Sequence, residues 1–225
     1  NGGARARADM PPVYFPFAQP VVPASAKRFT DDLKYSTGTW EGHWASRLSG
    51  GTVTNLGESN ALGLGRVRMA INAVGNFAIF YSGVFGFPRN RFMLWQCDIK
   101  PDVLSSPAQQ YEIRAGLLDQ SVINGSGYYF YYSHDVNAGK WTVRHDGVQV
   151  LTTESFVNTT RNALRLYAFS VSGPVIAIVN DQIVGAIQSG ITLESPVNNA
   201  IQVNKTVGAG LRNFDVDYAA IYWTR

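Results

Sequence analysis

From Phe29 to the end of the chain, short runs of alternating apolar and polar residues follow one another, separated by turn residues. The segment "QYEIRAGL" shows the pattern, and its apolar members are Tyr111, Ile113, Ala115 and Leu117. Because successive strand side chains point to opposite faces, we expect these four to face a core. No amphipathic helix of ten or more residues is apparent. The pattern therefore predicts an all-β chain.

Further strand signals recur along the chain, in "ALRLYAFSV", "VIAIVN" and "VDYAAIYW". The segments "HDGVQV" and "VNDQIVG" each place a turn dipeptide beside apolar residues, which predicts a hairpin or tight bend. Roughly a dozen strands at this spacing, with no internal repeat, are typical of an antiparallel two-sheet sandwich or jelly roll.

Residues 1–28 differ from the rest of the chain, because they hold five of its ten prolines. Proline fixes φ and removes a backbone donor, so we expect an extended arm here and a β-sandwich domain at 29–225. The arm has too many apolar residues for a solvated linker, namely Val13, Tyr14, Phe15, Phe17, Val21 and Val22. We expect their burial to stitch subunits into a homo-oligomer or a larger assembly.

Charge and cysteine content exclude several classes of protein. The net charge is +3 and the basic residues are scattered, which argues against a nucleic-acid partner. Cys97 is the single cysteine, so a disulfide framework and a multi-cysteine zinc site are excluded. We expect Cys97 to be buried on the strand face that carries Trp95 and Ile99. No apolar run reaches 18 residues, so no membrane span is predicted.

The C-terminal segment "FDVDYAAIYW" resembles the last strand of concanavalin A-like sandwiches, the fold of legume lectins, laminin G-like modules and bacterial β-glucanases. The order of the segments "GYYFYYSHDVNAGKWTVRHDG" and "RNALRLYAFSVSGPVIAIVNDQIVGA" is also similar to that family. The resemblance covers about residues 75–225. It implies a concanavalin A-like jelly roll.

The resemblance does not bring the family's chemistry with it. Glucanases of this fold carry Glu-x-Asp-x-x-Glu on one strand, and neither Glu41 nor Glu112 begins such a spacing. Legume lectins bind calcium through spaced Asp, Asn and His residues. Here "HDVN" offers Asp135 and Asn137, with Asp146 nearby, and we interpret these as turn formers. We therefore expect no enzyme activity, no metal and no cofactor.

Aromatic residues form the remaining candidate site. In "GYYFYYSHD", alternation places Tyr129 and Tyr131 on the face opposite to Tyr128, Phe130 and Tyr132. Only one of these sets is accounted for by a core, so the other is predicted to bind sugar or a partner protein. Trp141 is a further candidate for this surface. Trp40 and Trp44 lie on one strand face, and we interpret them first as core anchors and second as a platform for a sugar ring.

Three functions fit these observations. The main prediction is a non-enzymatic attachment or structural module of a virus particle, such as a phage tail, fibre or capsid decoration. It would assemble through its arm with other virion proteins, contact host glycans, and lie in the virion or outside the cell. The alternatives are a free carbohydrate-binding lectin module and a polysaccharide-degrading enzyme.

Overall fold

The computed structural model describes residues 26–31, 44–58, 65–82, 93–118, 127–145, 147–168, 174–187 and 198–224. These residues form fifteen strands: β1 Ala26–Asp31, β2 Trp44–Ser49, β3 Thr52–Glu58, β4 Gly65–Ile71, β5 Phe77–Ser82, β6 Met93–Pro101, β7 Gln110–Leu118, β8 Gly127–Ser133, β9 Lys140–His145, β10 Val148–Phe156, β11 Asn162–Ala168, β12 Val175–Val179, β13 Gln182–Ile187, β14 Asn198–Val207 and β15 Arg212–Thr224. A short 3₁₀ turn at Asn137–Gly139 is the only helical element within the described ranges. The all-β prediction is confirmed.

The strands form two antiparallel sheets. The first sheet has the order β13-β12-β11-β6-β15-β4-β3, and β1 pairs with the far end of β15, beyond β4. The second sheet has the order β10-β9-β8-β7-β14-β5-β2. Each sheet combines hairpins of consecutive strands with pairs of strands that are distant in sequence, such as β6-β15 and β7-β14.

The core lies between the two sheets. The second sheet contributes the four residues predicted from alternation, Tyr111, Ile113, Ala115 and Leu117, each of them 0% exposed. The first sheet contributes Trp95, Cys97 and Ile99 from one face of β6. Both predictions are confirmed, and Cys97 is a buried small residue of the core.

Two predicted turns are also found. Asn180 and Asp181 both have positive φ, 49° and 67°, and join β12 to β13 as a two-residue hairpin. Asn and Asp tolerate this left-handed backbone, which suits the twist of the flanking strands. The second hairpin joins β9 to β10, where His145 pairs with Val148.

The start of the sandwich differs slightly from the prediction. Strand β1 begins at Ala26, so the last residues assigned to the arm pair with the first sheet through Lys27↔Trp223 and Arg28↔Tyr222. Residues 1–25, which include all six apolar arm residues, lie outside the described residues. Among the described residues, no helix is long and apolar enough to cross a membrane.

Candidate functional site

Strand β8 is buried on both of its faces. Its residues Tyr128, Phe130 and Tyr132 belong to the core between the sheets. Its residues Tyr129 and Tyr131 belong to a separate small apolar cluster on the opposite side of the second sheet. We call that side the outer face of the second sheet. Its central residues, by strand register, are Glu112, Arg114, Gly116, Leu118, Tyr129, Tyr131, Thr142, Arg144, Ala200 and Gln202.

A tyrosine held between two arginines is the centre of this face. The Arg144 guanidinium carbon lies 3.7 Å from the centroid of the Tyr131 ring, and that of Arg114 lies 5.6 Å from it. Both distances are within the range of cation–π attraction. Tyr131 is only 4% exposed, whereas Arg144 is half-buried. The accessible layer above Tyr131 is therefore cationic rather than aromatic.

Glu112 fixes the position of the same tyrosine. The Tyr131 hydroxyl donates to Glu112 Oε1 at 2.7 Å, and Arg114 Nη2 donates to Glu112 Oε2 at 3.3 Å. Burial and the bond to Glu112 raise the pKa of Tyr131 to about 12. The phenol consequently stays protonated at neutral pH, and it acts as a donor that orients the carboxylate.

Small residues occupy the centre of the outer face. Gly116 lies between Tyr129 and Ala200 in register. A Cβ at Gly116 would lie 2.3 Å from the Tyr128 carbonyl oxygen and 2.6 Å from Tyr129 Cα, so only glycine allows β7 and β8 this approach. Ala200 pairs on its other side with Tyr81, whose half-buried ring packs against the small cluster. Tyr81 thus keeps an accessible aromatic surface, which Tyr129 and Tyr131 do not.

The structure separates the predicted tryptophans from this face. Trp141 is 0% exposed and packs in the core against Phe130 and Tyr132, with ring centroids 6.3 Å and 6.0 Å away. The prediction that Trp141 lines the surface with Tyr129 and Tyr131 is wrong, since Trp141 points to the other side of the sheet. Trp44 begins β2 at the Trp44↔Ser82 pair, and Trp40 lies outside the described residues.

Asn137 is a turn former, as we expected. It has a left-handed backbone with φ of 52°, and its Nδ2 donates to the carbonyl oxygens of Trp141 and Thr153. Asp135 is exposed beside it. Within the described ranges, no three His, Cys, Asp or Glu side chains gather as a metal site would require.

Sequence reasoning missed Arg144 and Tyr81. Strand alternation contains a signal for Arg144, because "KWTVRH" places it with Lys140 and Thr142, opposite to Trp141 and Val143. Its position over Tyr131 depends on the pairing of β8 with β9, which no short motif specifies. Tyr81 was not recognised because the run "FAIFYS" is apolar on both faces.

No protein-family model matches this sequence, and no curated protein sequence is significantly similar to it. Solved structures do match. The carbohydrate recognition domain of Emp46p, in its metal-free form, has a TM-score of 0.52 at 8% identity, over 76% of this chain and 87% of that chain. The cellulose induced protein Cip1 has a TM-score of 0.55 at 9% identity, over 86% of this chain and 96% of that chain.

A structure of botulinum neurotoxin type C, described as entering cells by interaction with two ganglioside molecules, has a TM-score of 0.55 at 12% identity. That match covers 88% of this chain and 47% of the toxin chain. At such low identities these similarities establish the fold alone. The chain has the two-sheet jelly-roll sandwich fold of lectin-like domains.

Proposed function

We propose that this protein is a non-catalytic carbohydrate-binding module, and that its ligand lies on the outer face of the second sheet. The observation that carries the proposal is the combination of Arg144, Tyr131 and Glu112. A half-buried guanidinium lies over the ring of a tyrosine, and a carboxylate fixes that tyrosine in turn. A few oriented polar groups beside aromatic surface are typical of sites that select a ligand by its hydrogen bonds.

The structural neighbours support this choice among the functions predicted from the sequence. The Emp46p domain is described as a carbohydrate recognition domain, and the toxin as a protein that interacts with gangliosides. The shared fold favours carbohydrate binding over the other predicted functions. Because one fold can serve many functions, the evidence for this chain must come from the residues of its site.

The carboxylates of this face are not arranged for glycoside hydrolysis. Glu112 is bonded to Tyr131 and Arg114, while Glu154 on β10 pairs with Lys140. Strands β7 and β10 are three strand spacings apart, about 14 Å. Paired glycosidase carboxylates lie about 5–10 Å apart, so these two do not form such a pair.

A glycan array tests the proposal, with the wild-type chain compared with Tyr81→Ser and Val103→Ser. Tyr81 has the accessible ring of the outer face, whereas Val103 is 49% exposed in the loop between β6 and β7. We expect the wild type to bind a defined set of glycans, Tyr81→Ser to weaken that binding, and Val103→Ser to leave it unchanged. Absence of glycan binding by folded wild-type protein would contradict the proposal.

Attachment within a virus particle is a separate proposal that rests on the arm. It includes the homo-oligomer, the virion partners and the virion or extracellular location, and it depends on residues 1–25, outside the described part of the chain. Deleting residues 1–25 should leave a folded sandwich that no longer assembles, as measured by light scattering. If light scattering shows both the truncated and the full-length protein to be monomers, this proposal loses its basis.

A further inference from the structure

Within the described part of the chain, Arg144 has no carboxylate partner. Glu112 and Glu154, the carboxylates on the described strands of the outer face, are both engaged by other residues. Among the described residues, Arg144 Nε is buried and has no hydrogen-bond acceptor. The contact that holds the guanidinium is with the Tyr131 ring, whose centroid lies 3.7 Å from the guanidinium carbon, and no described residue accepts a hydrogen bond from its two Nη groups.

Gln202 is a second donor in the same condition. It lies on the outer face beside Arg114, with which it is in register, and it is only 4% exposed. No described residue accepts a hydrogen bond from its Nε2. Because buried donors in folded proteins are nearly always paired, these two donors are positions at which a ligand oxygen or a water molecule would complete the hydrogen bonding.

The described strands of the outer face carry a net positive charge, like Arg144 itself. Its described strands present four cationic side chains and two carboxylates, which are Arg47, Arg114, Lys140, Arg144, Glu112 and Glu154. A ligand that complements this face supplies oxygen acceptors and negative charge together. The two Nη groups of a planar guanidinium match the two oxygens of a carboxylate or a sulfate ester.

We propose that the ligand is an acidic saccharide, and that its carboxylate or sulfate group binds to the guanidinium edge of Arg144. This inference rests on the proposed function and specifies the class of glycan. Tyr131 acts as a positioning residue, because its ring sets the plane of the guanidinium. Glu112 acts through Tyr131, because its bond to the hydroxyl fixes the orientation of that ring.

The test uses the full chain and a glycan array that presents neutral, carboxylate-bearing and sulfated versions of the same backbones. Bound glycans are then titrated by calorimetry with wild-type protein, Arg144→Gln, Arg144→Lys and Lys100→Gln. Lys100 is exposed on the outer face of the first sheet, so its substitution removes the same charge from the opposite side of the molecule.

We expect acidic glycans to bind at least tenfold more tightly than their neutral counterparts, as a charge-assisted pair allows. Arg144→Gln should abolish that preference, Arg144→Lys should keep part of it, and Lys100→Gln should keep all of it. Wild-type affinity for the acidic glycan should also fall as salt rises, a result that needs no variant. Selective binding to the carboxylate-bearing or to the sulfated glycans identifies the charged group, and either result supports the proposal.

Equal binding of neutral and acidic glycans, or full acidic preference in folded Arg144→Gln, would overturn this inference and leave carbohydrate binding intact. Absence of binding to every glycan would overturn the proposed function itself. Tyr131→Phe adds a finer readout, because it keeps the ring but loses the bond to Glu112. It should reduce the acidic preference less than Arg144→Gln does.

Discussion

Arginines on the outer faces of the two sheets are held by different contacts. On the first sheet, Arg68 binds Asp215 with two bonds of 2.7 Å and 2.9 Å, and Arg161 Nε donates to Asp98 at 2.7 Å. Arg165 pairs with Asp181 on the same sheet. On the second sheet, Arg144 lies on a tyrosine ring and has no carboxylate partner among the described residues.

Arg68 is neutralised by an aspartate within the fold, whereas the charge of Arg144 is available to a ligand. An arginine already paired with aspartate has its bidentate edge occupied, so Arg68, Arg161 and Arg165 offer an anion little new binding energy. Arg144, which is held by an aromatic ring, is not neutralised in this way. The way in which an arginine is held thus distinguishes these stabilising ion pairs from a candidate ligand contact.

The largest expected effect tests the core on which both outer faces rest. Ile113→Asp should place an unpaired charge at a site that is 0% exposed and destabilise the fold by about 4 kcal/mol or more. Denaturant unfolding followed by circular dichroism measures the change. Thr152→Asp, exposed on β10, should shift stability by only about 0.5 kcal/mol. Wild-type stability in Ile113→Asp would refute the assignment of this face to the core.

A smaller effect tests the close approach of β7 and β8 under the outer face of the second sheet. Gly116→Ala should cost about 2–3 kcal/mol, because the new Cβ meets backbone atoms that cannot rotate away. Gly75→Ala is the control, since no atom lies within 4 Å of its Cβ position and only its φ of 81° is unfavourable. Its cost should be about 1–2 kcal/mol. A Gly116→Ala variant no less stable than Gly75→Ala would show that the strands can separate freely.

Double-mutant cycles compare the charges of the two faces directly. The pair Arg68 and Asp215 should show a coupling energy of about 0.5–1 kcal/mol, because Arg68 is 42% exposed and partly screened. Asp215 also raises the pKa of Arg68, chiefly through their hydrogen bond. The pair Arg144 and Glu154 should show almost no coupling, because Glu154 is paired with Lys140 instead. Similar coupling energies in both cycles would contradict the conclusion that arginines on the two faces are held differently.

The smallest effect is spectroscopic. Tyr131 has a pKa raised to about 12 by burial and by Glu112, above the usual value of about 10. Its contribution to stability is present below pH 10 and is lost as the pH rises towards 12, because the unfolded chain loses the proton first. Difference titration of tyrosinate absorbance between wild type and Tyr131→Phe should show a phenol that ionises near pH 12. Ionisation near pH 10 would mean that the ring is solvated.

Alternation predicted the core side of β7 because one of its faces carries Glu112 and Arg114, which mark the outside. The same reasoning could not decide β8, where both faces are apolar. For Trp141, aromatic character was given more weight than its alternation with Thr142 and Arg144, and the side was wrong. The stack of Arg144 on Tyr131 requires the long-range register of β8 and β9. Such contacts between strands create the candidate site, so local sequence cannot specify them.

The central claim is that glycans bind to the outer face of the second sheet. The most direct test is an NMR titration of isotope-labelled protein with the glycan that binds best on the array, with backbone amide shifts mapped onto both sheets. We expect saturable shifts on β7, β8 and β9 around Glu112, Tyr131 and Arg144, and no shifts around Arg68 and Asp215. Saturable shifts confined to the first sheet, or no shifts at all, would contradict that claim.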